Sequence, residues 1–72
     1  MRPLLTPWYP FGAGLQRTLR RPYLDAEVQP VSGGWMWRVA DVRGAVVARG
    51  HQLTQAMACG RAMLAMMGES AP

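Results

Sequence analysis

The sequence has no lysine and very few acidic, cysteine or histidine residues. Its 72 residues include eight arginines, four acids, one cysteine and one histidine. A single cysteine, Cys59, excludes a disulfide within the chain. Cys59 and His51 are also too few for a structural zinc site, which typically takes four Cys or His ligands. We therefore expect neither a metal nor another cofactor.

Long apolar runs are absent as well. No segment approaches the ~20 consecutive apolar residues that a membrane-spanning helix requires. The first residues, MRPLLTPWYPFGAGLQ, contain Pro3, Pro7 and Pro10, which interrupt the apolar core that a signal peptide needs. The expectation is a cytoplasmic protein without a membrane partner, where one reduced thiol is ordinary.

The small size of the chain points to association with another molecule. A domain of about 60 residues buries only ~60% of the surface that its unfolded chain exposes. Without disulfides or metal, the remaining source of stability is a protein partner or a second copy. The net charge of +4 permits an anionic partner, nucleic acid included, because guanidinium binds phosphate and carboxylate bidentately. The absence of lysine also fits the codon usage of a GC-rich genome.

The chain divides into an N-terminal arm, one domain and a short tail. Prolines and glycines forbid long regular structure in the arm, residues 1–21. Its segment LQRTLRR, residues 15–21, has the apolar spacing of a turn or two of helix, which Pro22 would end. Residues 22–68 form the predicted domain, and residues 69–72 a disordered tail.

The domain has the pattern of three strands followed by a helix. Alternation predicts strands over Tyr23–Val31, Trp35–Val42 and Ala45–Gly50, separated by glycine turns. A segment rich in Ala, Met and Leu follows the N-cap residue Thr54 and predicts a helix that ends near Gly68. The predicted fold is therefore α+β: a three-stranded antiparallel meander packed on one C-terminal helix, with an irregular N-terminal arm.

Two-residue turns at Gly33-Gly34 and Arg43-Gly44 would set the strand pairing. Counting outward from them gives the pairs Val28–Val39, Gln29–Arg38, Glu27–Ala40, Trp37–Gly50, Arg38–Arg49, Val39–Ala48 and Ala40–Val47. Because side chains alternate between faces, one face collects the apolar residues Leu24, Ala26, Val28, Trp35, Trp37, Val39, Val46 and Ala48. We expect this face to pack on the helix. Exposed indoles that stack on nucleic-acid bases are the alternative.

The opposite face has a basic centre. Arg38 and Arg49 are predicted to lie directly opposite each other, and like charges in that position destabilise a sheet. Either Glu27 or an anionic group of a partner could relieve them. With Met36, Val47 and His51 around it, this centre predicts a docking face.

The helix is apolar on both sides. At ~3.6 residues per turn, the stripe predicted to meet the sheet is Leu53, Met57, Gly60, Leu64 and Met67. The residues predicted to point outward are Ala58, Ala62, Ala65 and Met66. A helix that is apolar all round is normally buried on both sides, so either the arm or a partner should cover the outer face.

No catalytic constellation is visible in the sequence. The acids are spread over separate elements, and Cys59 lies in mid-helix, away from a helix N-terminus that would lower its pKa. The sequence therefore predicts a protein that is not an enzyme.

The stretch WMWRVADVRGAVVARGHQLTQAMACGRAMLAM resembles a pattern found in small bacterial and phage proteins. In that pattern a Trp-containing strand, a glycine turn, a short strand ending in Gly and an Ala-rich helix follow in order. Certain anti-CRISPR and host-takeover proteins share it, and the likeness covers about residues 33–67. The resemblance implies a protein that binds and blocks a host complex. Many anti-CRISPR proteins carry acidic, DNA-mimicking surfaces, and this chain differs in being basic.

We therefore expect stoichiometric binding to a host protein complex, as a phage or mobile-element inhibitor. The candidate partner-binding residues are Trp8, Tyr9, Phe11, Arg17, Arg20, Arg21, Met36, Arg38, Val47, Arg49, His51, Ala58, Ala62 and Met66. One alternative is a nucleic-acid-binding protein that uses the arginines of the arm and sheet. Another is a self-assembling structural subunit.

Overall fold

The computed structural model describes residues 5–20 and 23–70, with Glu69 and Ser70 described by their backbone only. The elements in chain order are β1 (Tyr9–Phe11), β2 (Gly14–Arg20), β3 (Tyr23–Val31), β4 (Gly34–Asp41), β5 (Val46–Gln52) and α1 (Gln55–Ser70). The strands form one antiparallel sheet in the order β1-β2-β3-β4-β5. The helix packs on one face of the sheet, over β3, β4 and β5.

The sheet has five strands, so the prediction of a three-stranded meander with an irregular arm is wrong. The arm supplies β1 and β2, and the segment predicted as a helical turn is strand β2. Pairing with β3 decides this, because every residue from Leu15 to Arg20 has a partner on that strand. The hydrogen bonds of a sheet outweigh the weak helix propensity of so short a segment. Pro10 is accommodated because β1 is an edge strand.

The predicted pairing of β4 with β5 is confirmed for most of its length. Trp37 pairs with Gly50, Arg38 with Arg49 and Val39 with Ala48. A bulge between Val39 and Ala40 then shifts the register, so that Ala40 pairs with Val46 and not with Val47.

The predicted pairing of β3 with β4 is two residues out. Val31 pairs with Gly34, so the turn is Ser32-Gly33 and Glu27 lies opposite Arg38. Because the side-chain period of a strand is two residues, this shift leaves every side chain on its predicted face. The two-face prediction therefore survives this error, but it is wrong for Val46, which the bulge on the other side of β4 pairs with Ala40 on the face away from the core.

The core lies between the sheet and the helix. From the sheet it takes Leu24, Ala26, Val28, Trp37 and Val39, and from the helix Ala58, Ala62 and Met66. Trp37 is 9% exposed, and Trp35 is half-buried against the same cluster. The tryptophans therefore belong to the core side, as the alternation predicts.

The helix faces the sheet with the side opposite to the predicted one. The stripe expected to be buried is exposed, at 74% for Leu53, 50% for Met57, 63% for Leu64 and 63% for Met67. Ala58, Ala62 and Met66, expected to face outward, are buried. The buried side of the helix combines Ala58 and Ala62 with Met66, and the two small residues let the backbone of the helix lie close to a sheet that brings an indole to the interface. Periodicity could not choose a side because both sides are apolar.

Candidate binding surface on the open sheet face

The sheet face away from α1 is open, and one row of side chains crosses all five of its strands. Tyr9 pairs with Gln16, Gln16 with Glu27, Glu27 with Arg38, and Arg38 with Arg49. We call these five residues the central row. Each is half-buried or exposed, so the row is accessible from edge to edge.

A second row and a third row flank the central row on the open face. In one, Gln29 pairs with Met36 and Met36 with His51, and the Gln29 amide donates a hydrogen bond of 2.8 Å to the carbonyl oxygen of Phe11. This bond ties edge strand β1 to the middle of the sheet. The other row consists of Thr18, Asp25, Ala40 and Val46.

The basic centre of the open face is partly neutralised. Arg38 forms an ion pair with Glu27, with 2.7 Å between Nη2 and Oε1, and its Nε donates to the same oxygen at 2.8 Å. Of the two groups that could relieve the opposed arginines, Glu27 therefore binds Arg38, and it does so from the position opposite Arg38 and not from the predicted position opposite Ala40. Within the described residues Arg49 forms no ion pair. Its guanidinium therefore keeps its full capacity to bind an acceptor from outside.

A shallow cavity of about 210 Å³ opens on this face. Its lining consists of Phe11, Gln16, Asp25, Glu27, Arg38, Ala40, Gly44 and Val46. The turn after β4 forms one side of it and is held by Asp41, whose Oδ1 accepts hydrogen bonds from the backbone N–H of Arg43 and Ala45. Small-molecule sites usually measure ~300–1,000 Å³. The cavity is smaller than that and has the size to receive a side chain from a partner.

Asp25 accepts hydrogen bonds from two hydroxyl groups on the open face. Its two carboxylate oxygens accept hydrogen bonds from the Thr18 hydroxyl at 2.7 Å and the Tyr23 hydroxyl at 2.8 Å. The bond to the carboxylate raises the pKa of Tyr23, with smaller contributions from desolvation and from the charge of Asp25. The phenol is therefore held as a hydrogen-bond donor.

Half of the predicted binding residues lie on the open face. It carries Tyr9, Phe11, Arg20, Met36, Arg38, Arg49 and His51, by strand alternation and pairing. Val47 is exposed beside the β5 bulge. Arg21 lies outside the described residues.

Trp8 and Arg17 lie on the helix side of the sheet and serve the fold. The Arg17 guanidinium carbon is 5.6 Å from the centroid of the Trp8 ring. Its Nε donates to the carbonyl oxygen of Thr6 at 2.7 Å, and its Nη1 contacts the Met63 sulfur at 3.3 Å. These contacts join β2 to α1, so the two residues do not belong to the candidate surface.

The buried positions of Ala58, Ala62 and Met66 remove them from the predicted binding residues. Conversely, Gln16, Thr18 and Tyr23 belong to the open face and were not predicted. Gln16 and Thr18 were missed because β2 was expected to be helical. Their alternation with Leu15, Arg17 and Leu19 is the signal that could have found them.

Cys59 offers no activated nucleophile. It is half-buried beside the core, and desolvation raises the pKa of its thiol, an effect that the positive charge of Arg17 partly opposes. Within the described residues, no three His, Cys, Asp or Glu side chains gather as a metal site would require. The same part of the chain holds no helix with the length and hydropathy needed to cross a membrane.

No protein-family model, curated protein or solved structure matches the chain. The resemblance to small phage proteins therefore stays a prediction.

Proposed function

We propose that this chain is a small non-enzymatic binding protein that holds a protein partner on its open sheet face. The observation that supports the proposal is the central row, which runs unbroken from Tyr9 to Arg49 across the sheet. Aromatic residues, Met and Arg are enriched at the centres of protein interfaces. Tyr9, Phe11, Met36 and Arg49 give this face that composition.

Arg49 and the cavity bind different groups of the partner. Arg49 presents a guanidinium that no described acid neutralises, and it suits a carboxylate or carbonyl of the partner. The cavity beside Phe11 receives one side chain. Phe11 and Tyr9 are exposed and supply apolar contact area around both.

We further propose that binding is stoichiometric and blocks a host protein complex, as in a phage or mobile-element inhibitor, and that it takes place in the cytoplasm. Support comes from the resemblance over about residues 33–67 and from the lone cysteine. Such a thiol is ordinary in a reducing compartment.

Nucleic-acid binding on the same face is the second candidate function. The unpaired Arg49, with Arg20 and Arg38 on the same face, favours phosphate binding, and exposed Tyr9 and Phe11 could stack on bases. Asp25 and Glu27 lie on that face too and would repel phosphates. The charge balance of the open face therefore favours a protein partner.

The test is capture from a host lysate with identification of the bound protein, using three forms of the chain. Wild type and the control Arg61→Glu, which changes the same charge on the exposed side of α1, should retain the partner. Arg49→Glu should lose it, because a carboxylate replaces the guanidinium that the partner's acceptor is proposed to bind. Equal capture by Arg49→Glu and Arg61→Glu would contradict the proposal.

A titration with short DNA and RNA at two salt concentrations tests the rival function. Binding that weakens steeply with salt and is lost in Arg49→Glu would establish nucleic acid as the ligand of the open face. Absence of binding at both salt concentrations would reject that function.

A further inference from the structure

The last strand of the sheet, β5, has one edge without a partner among the described residues. It pairs with β4 along its other edge, and it ends the strand order of the described sheet. In the same part of the chain, the backbone hydrogen bonds that lie outside the sheet ladders and the helix involve no residue of β5. Because backbone N–H and C=O groups are strong, obligatory hydrogen-bonding groups, the outward groups of β5 are available to one more strand.

The two edges of the sheet differ in their capacity to pair. The edge strand β1 has three residues, and Pro10 at its centre has no N–H to donate. In contrast, β5 has seven residues, none of them proline and none fully buried. Short edge strands and edge prolines prevent pairing with another chain. The edge at β1 is therefore blocked, whereas the edge at β5 is able to accept a strand.

A bulge restricts the open edge to the second half of β5. Ala40 pairs with Val46 and Val39 with Ala48, so that Val47 is the extra residue of the bulge. From Ala48 to Gln52 the pairing with β4 is regular. At ~3.3 Å per residue this stretch is about 17 Å long, which is the length of an ordinary strand. A strand of a partner can therefore pair along it in one register.

The charge of this edge indicates the chemistry of its occupant. Arg49 lies within the regular stretch, is exposed, and forms no ion pair within the described residues. No acid occurs in β5, and Arg43 adds a second exposed positive charge in the turn that leads into the strand. Opposite charges directly across two strands stabilise a sheet, and like charges destabilise it. The edge therefore favours a strand that places a carboxylate opposite Arg49.

We propose that an acidic, extended segment of a protein partner adds to the sheet as a sixth strand beside β5, with an Asp or Glu side chain opposite Arg49. The inference rests on the proposed function, because both place a carboxylate of the partner at Arg49, and it adds how the main chain of the partner is held. In this mode of recognition, main-chain hydrogen bonds supply affinity and alternate side chains supply specificity. The added strand extends the central row by one side chain.

A second copy of this chain is a poorer occupant of the same edge. Two antiparallel β5 strands would bring two Arg49 guanidinium groups into one short ladder, and neither strand offers an acid to pair with them. The net charge of +4 adds repulsion between whole chains. Charged side chains on an edge strand are a common protection against self-association. Arg49 therefore discourages pairing between copies while it attracts an acidic strand.

The test uses a synthetic peptide whose sequence is the same in both directions, acetyl-Thr-Val-Thr-Glu-Thr-Val-Thr-amide, so that it fits a parallel or an antiparallel orientation. Titration into isotope-labelled protein, followed by NMR, should show saturable binding below about 1 mM peptide. Alternate amides between Ala48 and Gln52 should exchange more slowly with solvent in the complex, because only the N–H groups that point away from β4 gain a partner. The amides of Tyr9 and Phe11 on the opposite edge are the internal control and should exchange as before.

Two modified peptides separate the main-chain bonds from the charge. N-methylation of the three central residues keeps every side chain and removes the N–H groups there, so the dissociation constant should rise at least about tenfold. Replacing the Glu of the peptide by Lys should weaken binding about fivefold. Arg49→Glu in the protein should restore binding of the Lys peptide, whereas Arg61→Glu, the same change on the exposed side of α1, should not. Unchanged circular dichroism spectra would verify that both variants fold.

The possible results distinguish this inference from the proposed function. Absence of peptide binding at about 1 mM, or equal binding of the N-methylated peptide, would overturn the sixth strand, while Arg49-dependent capture from the lysate would still support the proposed function. Protection of the β5 amides by raising the protein concentration without peptide would identify a second copy as the occupant and also overturn the inference. If the peptide binds as expected but Arg49→Glu captures the lysate partner like wild type, the proposed function alone has failed.

Discussion

The indole of Trp37 lies against Gly50, its direct partner across β4 and β5. A Cβ at position 50 would come to 2.7 Å from the indole Nε1 and 2.8 Å from two ring carbons. Because glycine has no Cβ, position 50 leaves room for the indole beneath the helix. The next pair along the same two strands is Arg38 with Arg49. The contact that fills the core therefore also fixes the register of the basic centre on the open face.

Gly50→Ala should destabilise the fold by about 1–3 kcal/mol, the usual cost of overpacking. The added methyl must displace a large ring held between sheet and helix. Urea unfolding followed by circular dichroism measures the change. Gly60→Ala is the matched control, because a Cβ there meets nothing, and it should stabilise the chain. Equal stability of Gly50→Ala and wild type would show that the indole moves freely.

Trp37→Phe should cost clearly less stability than Trp37→Ala. Truncating a buried Trp to Ala typically costs ~3–5 kcal/mol. Within the described residues the buried Nε1 of Trp37 has no hydrogen-bond partner, and leaving such a donor unsatisfied costs ~1–3 kcal/mol. Phe keeps an aromatic ring in the core and removes this donor. The stability lost with part of the indole is therefore partly offset by the penalty that disappears with the donor. Denaturant midpoints of both variants provide the comparison, and equal losses would show that the donor carries no penalty.

Arg49→Glu should stabilise the isolated chain by a few tenths of a kcal/mol, within the ~0.2–1 kcal/mol of a cross-strand pair. It replaces a like-charged pair opposite Arg38 by an opposite-charged one, although Arg38 already binds Glu27. The melting temperature should rise at low salt, and the gain should shrink in high salt as screening increases. A lower melting temperature would mean that Arg49 has a favourable contact within the fold.

Tyr23 should titrate above the ordinary tyrosine pKa of about 10, because its hydroxyl donates to the Asp25 carboxylate. Tyr9→Phe leaves Tyr23 as the remaining tyrosine, so absorbance of the phenolate reports it alone. Asp25→Asn in that background should lower the midpoint, because it removes the carboxylate that accepts the hydrogen bond and carries the charge.

The same bond has a defined effect on stability. A pKa raised by folding stabilises the folded state fully below the unfolded pKa, and this stabilisation is lost as pH rises through the folded pKa. Stability supplied by Tyr23 should therefore be constant at neutral pH and fall only in strongly alkaline solution. Because Tyr23 is exposed, the effect should be small. An unshifted midpoint in the Tyr9→Phe variant would contradict the hydrogen bond.

Local patterns predicted most of the second half of the chain. The alternation from Tyr23 to Gly50 placed three strands and sorted their side chains between two faces. A two-residue error in register did not disturb that sorting, whereas the bulge moved Val46 to the other face. Arg38 opposite Arg49 followed from counting along the strands and is present, whereas the count placed Glu27 opposite Ala40 and the structure places it opposite Arg38. The alternation of side chains along a strand is a local property, and it does not depend on what packs on either face of the sheet.

The first two strands were missed although β2 carries a weak alternation, and the buried side of the helix could not be predicted from any local pattern. Residues 15–20 form β2 because β3 offers an edge to pair with, and that edge exists only in the folded chain. The side of α1 that faces the sheet depends on the fit between the two surfaces, which places Ala58, Ala62 and Met66 in the core with Trp37 and leaves Leu64 exposed.

The sequence by itself therefore determined the strand alternation, the position of the helix and the separation of indoles from arginines, because each depends on neighbours along the chain. Only the tertiary structure decided that the arm joins the sheet, that Tyr9 and Phe11 come to lie on the same face as Arg49, and that the helix turns Met66 inward and Leu64 outward. Those outcomes depend on how surfaces of different volume and hydrogen-bonding capacity fit together in space, and no local period records that fit.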